Sequence, residues 1–218
     1  MNLFLVGDVH GCFYTLSTLL KHWDPTTEHL IQLGDLVDRG NGIPETVALA
    51  RQLSAEYPAT TTFLMGNHEA EMLYHYGPQG PSLGWLKWGG RSTTEQYKAR
   101  PRLLAEHLPW LRQRPLLWQN EHVMASHAGI SASPDAFEPT SPNGILWVRG
   151  PLKQLDKLQV VGHTPTTDGQ LTHDTASNTL YIDTGAVYGR NLTGLRLAPT
   201  GAVLAVLSIP VDSRDLPA

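Results

Sequence analysis

Short apolar runs that stop at glycines set the rhythm of the first third of the chain. The segments NLFLVG, HLIQL and TTFLM each read as a buried strand, and they run into Gly7, Gly34 and Gly66. After the first, FYTLSTLLKHW spaces Phe13, Leu16, Leu19 and Leu20 as a helix does. After the second, and a turn from Gly40 to Gly42, IPETVALARQL predicts a helix with Pro44 in its first turn. The third leads through Asn67, His68 and Glu69 into another helix. Strand, loop and helix thus recur three times, and each strand ends in a glycine followed by polar side chains able to bind a metal. Ligand sites of open α/β sheets gather beyond the carboxyl ends of strands, so these three loops are expected to share one crevice.

Between Gly77 and Trp118 the rhythm breaks. This stretch is rich in Gly, Pro and Trp, with helical patterns around Ser92 to Lys98 and Arg102 to Arg112, and it reads as a helical insertion over about residues 77–118. Packing the insertion onto the body is the expected task of Trp85, Trp88 and Trp110, with lining of a substrate groove as the alternative. Strand-like segments resume at HVMAS, LQVVG, TLYID, LTGLRL and AVLAVLSI, which a second, largely antiparallel sheet would accommodate. No repeat, low-complexity tract or linker interrupts the chain. A single domain over residues 1–210 is expected, with 211–218 as a frayed tail.

Composition narrows the function classes. A chain of 218 residues, 41% hydrophobic and 17% charged, is long enough for one substantial core. Its 16 basic and 20 acidic residues leave a net charge of -4 without a Lys/Arg block, so no nucleic-acid partner is expected. Leu3 to Val6 is too short for a signal peptide, and no run approaches the roughly 20 apolar residues that cross a bilayer. A cytoplasmic protein without a membrane partner is the expectation. The lone Cys12 cannot form an internal disulfide and reads as a small buried side chain early in a helix.

Ten histidines are many for this length, and only six of them, His22, His29, His75, His107, His122 and His173, read as scattered. GDVHG sets Asp8 and His10 two residues apart, where side chains of an extended segment point the same way and can reach one cation. GDLVDRG brings Asp35, Asp38 and Arg39, and the two oxygens of Asp35 allow it to bridge two ions. GNHE offers the amide oxygen of Asn67 beside His68 and Glu69. His127 in SHAG and His163 in VGHTP each follow an apolar strand-like run, which brings them to the same sheet rim. Taken singly, an Asp between strand and helix is often an N-cap, and a lone histidine is often only hydrogen-bonded. Five such motifs at five strand ends converge instead on a metal site. Mixed nitrogen and oxygen ligands suit Mn, Fe or Zn better than an all-oxygen Ca or Mg site.

In this order and at these intervals, GDVHG, GDLVDRG, GNHE, SHAG and VGHTP resemble the signature of the PPP-type serine/threonine protein phosphatases, within the calcineurin-like metallophosphoesterases. The similarity runs from residue 2 to about residue 197, and the ending YIDTGAVYGRNLTGLRL is most similar to the small bacterial and phage members. The resemblance implies an α/β fold, a central β-sandwich flanked by helices, with a dinuclear metal site at the sheet rim. It implies two divalent ions, Mn²⁺ first with Fe or Zn as alternatives. Asp8 and His10 would hold one, Asn67, His127 and His163 the other, and Asp35 both. Arg39 and Arg149, the latter in LWVRG, match the arginines that grip the phosphate, and His68 paired with Asp38 matches the acid that protonates the leaving group. The implied activity is hydrolysis of phosphoproteins or phosphopeptides by direct attack of a metal-bound hydroxide, without a phosphoenzyme. One departure concerns Gly129: small phage-type members usually read His-Ala-Asp where this chain has His127, Ala128 and Gly129, and GISASP is somewhat similar to the eukaryotic version. The symmetrical dinucleoside tetraphosphatases are the nearest rival, but there alanine usually replaces Asp38 and aspartate replaces Glu69. A scaffold that has lost its metals is a further alternative, opposed by the intact ligand set.

Overall fold

The same rhythm governs the computed structural model, which describes residues 1–217. Its first half runs β1 (Asn2–Val6), α1 (Phe13–Leu19), β2 (Glu28–Gln32), α2 (Ile43–Glu56), β3 (Thr61–Phe63) and α3 (Asn67–His75). Helices α4 (Leu83–Trp85), α5 (Arg91–Lys98) and α6 (Pro101–Arg112) follow. The remainder supplies β4 (Leu117–Gln119), β5 (Val123–Ser126), β6 (Leu158–Val161), β7 (Thr172–Asp174), β8 (Thr179–Tyr181), β9 (Asn191–Leu197) and β10 (Val203–Pro210).

Two mixed sheets of five strands form a sandwich flanked by helices. In the first, ordered β10-β9-β1-β2-β3, the strands β1, β2 and β3 are parallel because a helix carries the chain back between them. β9 and β10 join it antiparallel. The second sheet, ordered β4-β5-β6-β8-β7, is not largely antiparallel as expected. Its central strands β5, β6 and β8 are parallel, and only the outer β4 and β7 run against their neighbours. VMAS and LQVV are buried along nearly their whole length, as strands of a parallel sheet covered on both faces are. The segments LTGLRL and AVLAVLSI complete the first sheet, where β10 alternates exposed and half-buried positions as an edge strand with one open face does.

Alternation along β1 builds both layers of the core. Leu3 and Leu5 face the second sheet, where they meet Val123, Ala125, Val160 and Leu180. Phe4 and Val6 face the helices, with Leu16, Leu19 and Val47. Every strand that carries a candidate ligand is therefore clamped from two sides, and its carboxyl end is held at the rim.

The helical stretch divides the tryptophans. Trp85 is fully buried and Trp110 packs on Phe63 with ring centres 5.9 Å apart, as expected, whereas Trp88 is 43% exposed. The expected frayed tail docks onto the body instead. Asp215 is buried, its Oδ1 accepts from the N–H of Tyr14 at 3.0 Å, and its Oδ2 accepts from the N–H of Thr15 at 2.8 Å. The first turn of α1 has no side-chain cap of its own, so its free N–H groups draw a carboxylate from the far end of the chain. Cys12, at the head of that helix, is buried, and burial together with the Asp215 charge pushes its thiol up to about 12. Among the described residues no helix is long and apolar enough to cross a membrane.

Candidate metal centre

The loops at the carboxyl ends of the strands are tightly turned. Among the described residues outside glycine, positive φ occurs at His10, Asp35, Asp38, Arg39, His163 and Asn178, and all but the last are candidate site residues. Strain of this kind persists only where surrounding structure enforces it, and it collects at functional sites. Gly66 shows the enforcement: a Cβ there would lie 2.2 Å from Asp35 Oδ1. Only glycine lets the third loop close over the second.

Six residues, Asp8, His10, Asp35, Asn67, His127 and His163, are buried and brought together. His10 Nδ1 donates to the carbonyl of Val37 at 2.8 Å, and His127 Nδ1 donates to that of Leu33 at 2.8 Å. His163 Nε2 donates to the carbonyl of Trp147 at 3.2 Å. Each imidazole thus spends its proton on a backbone carbonyl and turns its lone pair inward, the arrangement of a metal-ligating histidine. His127 Nε2 and His163 Nδ1 both point at Asn67 Oδ1, at 2.8 and 2.9 Å. Asp35 joins two groups: its Oδ2 lies 3.4 Å from His10 Nε2 and 3.9 Å from His68 Nε2, and its Oδ1 lies 3.5 Å from His127 Nε2. Ligand atoms of His10, Asp35 and His68, and of Asp35, His127 and His163, fall within 4.8 Å of one another. Asp8 Oδ2 accepts from the N–H of His163 at 2.9 Å, while its buried Oδ1 has no hydrogen-bond partner among the described residues. Acceptors without protons converge here, and a buried carboxylate oxygen left unpaired is costly unless a cation meets it. These residues fit divalent metal.

The charge states of His10, His127 and His163 agree with that reading. Burial, Arg39 and His68 hold His10 well below the usual imidazole value, burial lowers His127, and burial with His127 and Arg149 brings His163 down to about 3. Burial and the Asp183 and Asp35 carboxylates raise Asp8 well above the carboxylate range. Burial also acts to raise Asp35, but the imidazoles of His127, His68, His10 and His163 outweigh it and hold it low. His68 differs from the other three histidines. Burial lowers it, yet Asp35 and Asp38 more than offset this and raise it, as suits a proton donor.

Around His68 the structure adds residues that sequence reasoning missed. His68 Nδ1 donates to Asp38 Oδ2, which also accepts from Trp85 Nε1 at 2.6 Å, and Thr93 Oγ1 donates to Asp38 Oδ1. An indole N–H can only donate, so it holds the Asp38 side chain in place and thereby orients the His68 ring. No pattern in the helical stretch marks Trp85 or Thr93 for this role. Glu69 accepts four backbone N–H groups, from Asp35, Leu36, Val37 and Gly66, and so ties the second loop to the third. Its place three residues after Gly66, at the head of a helix, was a usable signal. Asp183 is buried beside Asp8, and burial, with Asp35 adding, raises it to about 6 against the opposing N–H of Gly185. YIDTG repeats the pattern of a strand end followed by an acid and a glycine, which could have found it.

The two arginines are not side by side. Arg149 is exposed at the edge and donates to Thr164 Oγ1 at 3.2 Å. Arg39 is drawn in among the imidazoles, where it meets His10 Nε2 and donates to His68 Nε2 at 2.9 Å. His10 would offer the same lone pair to a divalent ion, so Arg39 would have to give it up.

Comparison with known proteins finds relatives over most of the chain. The family described as calcineurin-like phosphoesterase matches residues 1–188. A serine/threonine-protein phosphatase 1 of Salmonella typhimurium is 33% identical over 212 residues, 90% of this chain and 92% of that protein. A symmetrical bis(5'-nucleosyl)-tetraphosphatase of Actinobacillus succinogenes is 34% identical over 135 residues, which is 60% of this chain but only 45% of that protein. The solved structure of a protein serine/threonine phosphatase from Saccharomyces cerevisiae shares the fold, with a TM-score of 0.70 at 16% identity over 98% of this chain and 81% of that one.

Proposed function

Since the chain belongs to the calcineurin-like phosphoesterases, metal-dependent hydrolases of phosphate esters, we propose that it is a cytoplasmic phosphoprotein phosphatase acting on phosphomonoesters. In this reading Asp8 and His10 would hold one divalent cation, Asn67, His127 and His163 a second, and Asp35 would serve both, with Mn²⁺ as the first choice of metal. When bound, such a pair activates water and neutralises phosphate charge. Arg39 and Arg149 grip the phosphate through parallel N–H donors, which requires Arg39 to turn outward from His10. That turn also frees His68 Nε2 to carry the proton that it passes to the departing oxygen, while Asp38 keeps the ring oriented.

The observation that carries this reading is the buried Asp38–His68 pair, braced by Trp85 and Thr93. A serine alkoxide is a poor leaving group and needs an oriented acid, worth about 10²- to 10⁴-fold. A nucleotide departing from a polyphosphate leaves as a stabilised anion and needs little such help. The near end-to-end match with the Salmonella phosphatase supports the same choice. A side-by-side rate comparison tests it, with Mn²⁺ supplied, on phosphopeptides and on a dinucleoside tetraphosphate. Higher kcat/KM on phosphopeptides is the expected result, and cleavage of the dinucleotide alone would overturn it.

A further inference from the structure

The turn over Leu86–Gly90 carries positive charge that nothing in the fold answers. A depression of about 420 Å³ opens there, lined by Arg39, Leu86, Lys87, Gly89, Arg91 and Ser92. Three of those residues are cations and none is an acid, in a chain whose net charge is -4. Lys87 and Arg91 are exposed, and among the described residues neither forms an ion pair, whereas Arg51, Arg100, Arg196 and Arg214 all do. The nearest acid along the chain, Glu95, lines a separate cavity with His75 and Tyr97. Ser92 is already engaged, since its Oγ donates to the carbonyl of Gly89 at 2.8 Å and accepts from the N–H of Arg39 at 2.7 Å. Charge of one sign gathered in a cleft repels itself and focuses its field on an entering anion. The same turn borders the proton donor: Trp88 stands edge-on to His68 with ring centres 6.2 Å apart, and Arg39 donates to His68 Nε2 at 2.9 Å. A Cβ on Gly89 would lie 2.9 Å from Arg39 Cγ, so the turn is pressed directly against that arginine.

We propose that Lys87 and Arg91, next to Arg39, form a subsite for an anionic side chain of the substrate and select phosphopeptides with Asp or Glu beside the phosphorylated residue. The inference rests on the phosphoprotein phosphatase reading given above. In that reading Arg39 holds the phosphate and His68 serves the oxygen that departs, so the peptide attached to that oxygen extends on the His68 side. The depression adjoins that side through Arg39 and the Trp88 turn. A carboxylate next to the phosphorylated residue meets two cations there that have no partner within the chain. The Arg91 guanidinium can offer paired donors to both carboxylate oxygens, and the Lys87 ammonium adds a mobile point charge. Exposed ion pairs are individually weak, so the two together give a preference of about three- to tenfold.

The test uses the full chain loaded with Mn²⁺ and two phosphoserine peptides that differ only in carrying glutamate or glutamine on both sides of the phosphorylated residue. Wild type is expected to favour the glutamate peptide about three- to tenfold in kcat/KM at low salt, mainly through KM, and to lose that margin as ionic strength rises. Combining Lys87→Ala with Arg91→Ala is expected to bring the two peptides to equal kcat/KM. Charge reversal, Lys87→Glu with Arg91→Glu, is expected to favour the glutamine peptide. Lys98→Ala with Arg102→Ala removes the same charge from exposed positions outside the depression and is expected to keep the preference. Equal rates on both peptides in the wild type, an unchanged ratio in the Lys87 and Arg91 variant, or the same loss of preference in the Lys98 and Arg102 variant overturns the inference and leaves the phosphatase reading standing. Wild-type protein that cleaves neither peptide but does cleave a dinucleoside tetraphosphate overturns both.

Discussion

Replacing Glu69 with glutamine keeps its shape and removes the acceptor on which two loops depend. Its Oε2 accepts from the N–H of Asp35 at 2.7 Å and of Gly66 at 2.9 Å, and its Oε1 accepts from Leu36 at 2.8 Å and Val37 at 3.1 Å. Whichever oxygen becomes an amide NH₂, two buried backbone N–H groups lose their acceptor and face another donor. A stranded buried donor costs about 1–3 kcal/mol, so Glu69→Gln is expected to destabilise the fold by about 2–6 kcal/mol. One effect runs the other way. Burial and the Asp35 carboxylate raise Glu69 to about 7, so a neutral side chain relieves some repulsion. Two stranded donors outweigh that relief, because the N–H groups themselves already oppose the rise. Against a total stability of about 5–15 kcal/mol the loss is large, and the loop that relaxes is the one carrying Asp35. Urea unfolding of the metal-free protein, followed by Mn²⁺ titration, reads both consequences. A weaker fold together with at least about tenfold weaker Mn²⁺ binding is expected. Unfolding within about 0.5 kcal/mol of wild type, the ordinary range for an inconsequential surface change, would refute the reasoning.

Three further outcomes follow from the structure. His68→Asn should slow hydrolysis of an alkyl ester such as phosphoserine by about 10²- to 10⁴-fold and of p-nitrophenyl phosphate far less, whereas equal losses would count against the acid role. His107 is buried against Tyr97, and burial, with Arg51 adding, holds it down to about 4. At this position the folded chain binds less proton than the unfolded one below about pH 6.5, so the contribution of His107 to stability should decline by roughly 3 kcal/mol between pH 6.5 and 4. His107→Gln should flatten that slope in pH-dependent urea midpoints, and an unaltered slope would contradict the assignment. Asp215→Ala removes the partner of three donors at the head of α1, the N–H groups of Tyr14 and Thr15 and the Thr15 hydroxyl, and should cost about 1–3 kcal/mol in unfolding, where a frayed tail would cost nothing.

The first sheet and the rim were legible because local pattern and tertiary role coincide there. NLFLV, HLIQ and TTF are apolar runs, and each stops at the glycine that lets the next loop close. The direction of the strands in the second sheet was not legible, since VMAS and LQVV would read the same in either orientation. Asp8, His10, Asp35, Asn67, His127 and His163 all stood at strand ends, and the structure gathers them. Trp85 and Trp88 stand three residues apart in a stretch without periodicity, and only the wide turn over Leu86–Gly90 sends one into the core beside Asp38 and leaves the other at the site. Asp215 looked like tail because its partners, Tyr14 and Thr15, lie about 200 residues away. Contacts of that range leave no trace in local pattern.

Whether Asp35 joins two cations is read most directly by counting the divalent ions bound per chain after Mn²⁺ loading and desalting, in wild type and in Asp35→Asn. Two ions in the wild type, and loss of both in the variant, are the expected result, since one carboxylate faces His10 with one oxygen and His127 with the other. Two tightly held ions in Asp35→Asn, or a single ion in the wild type, would contradict it.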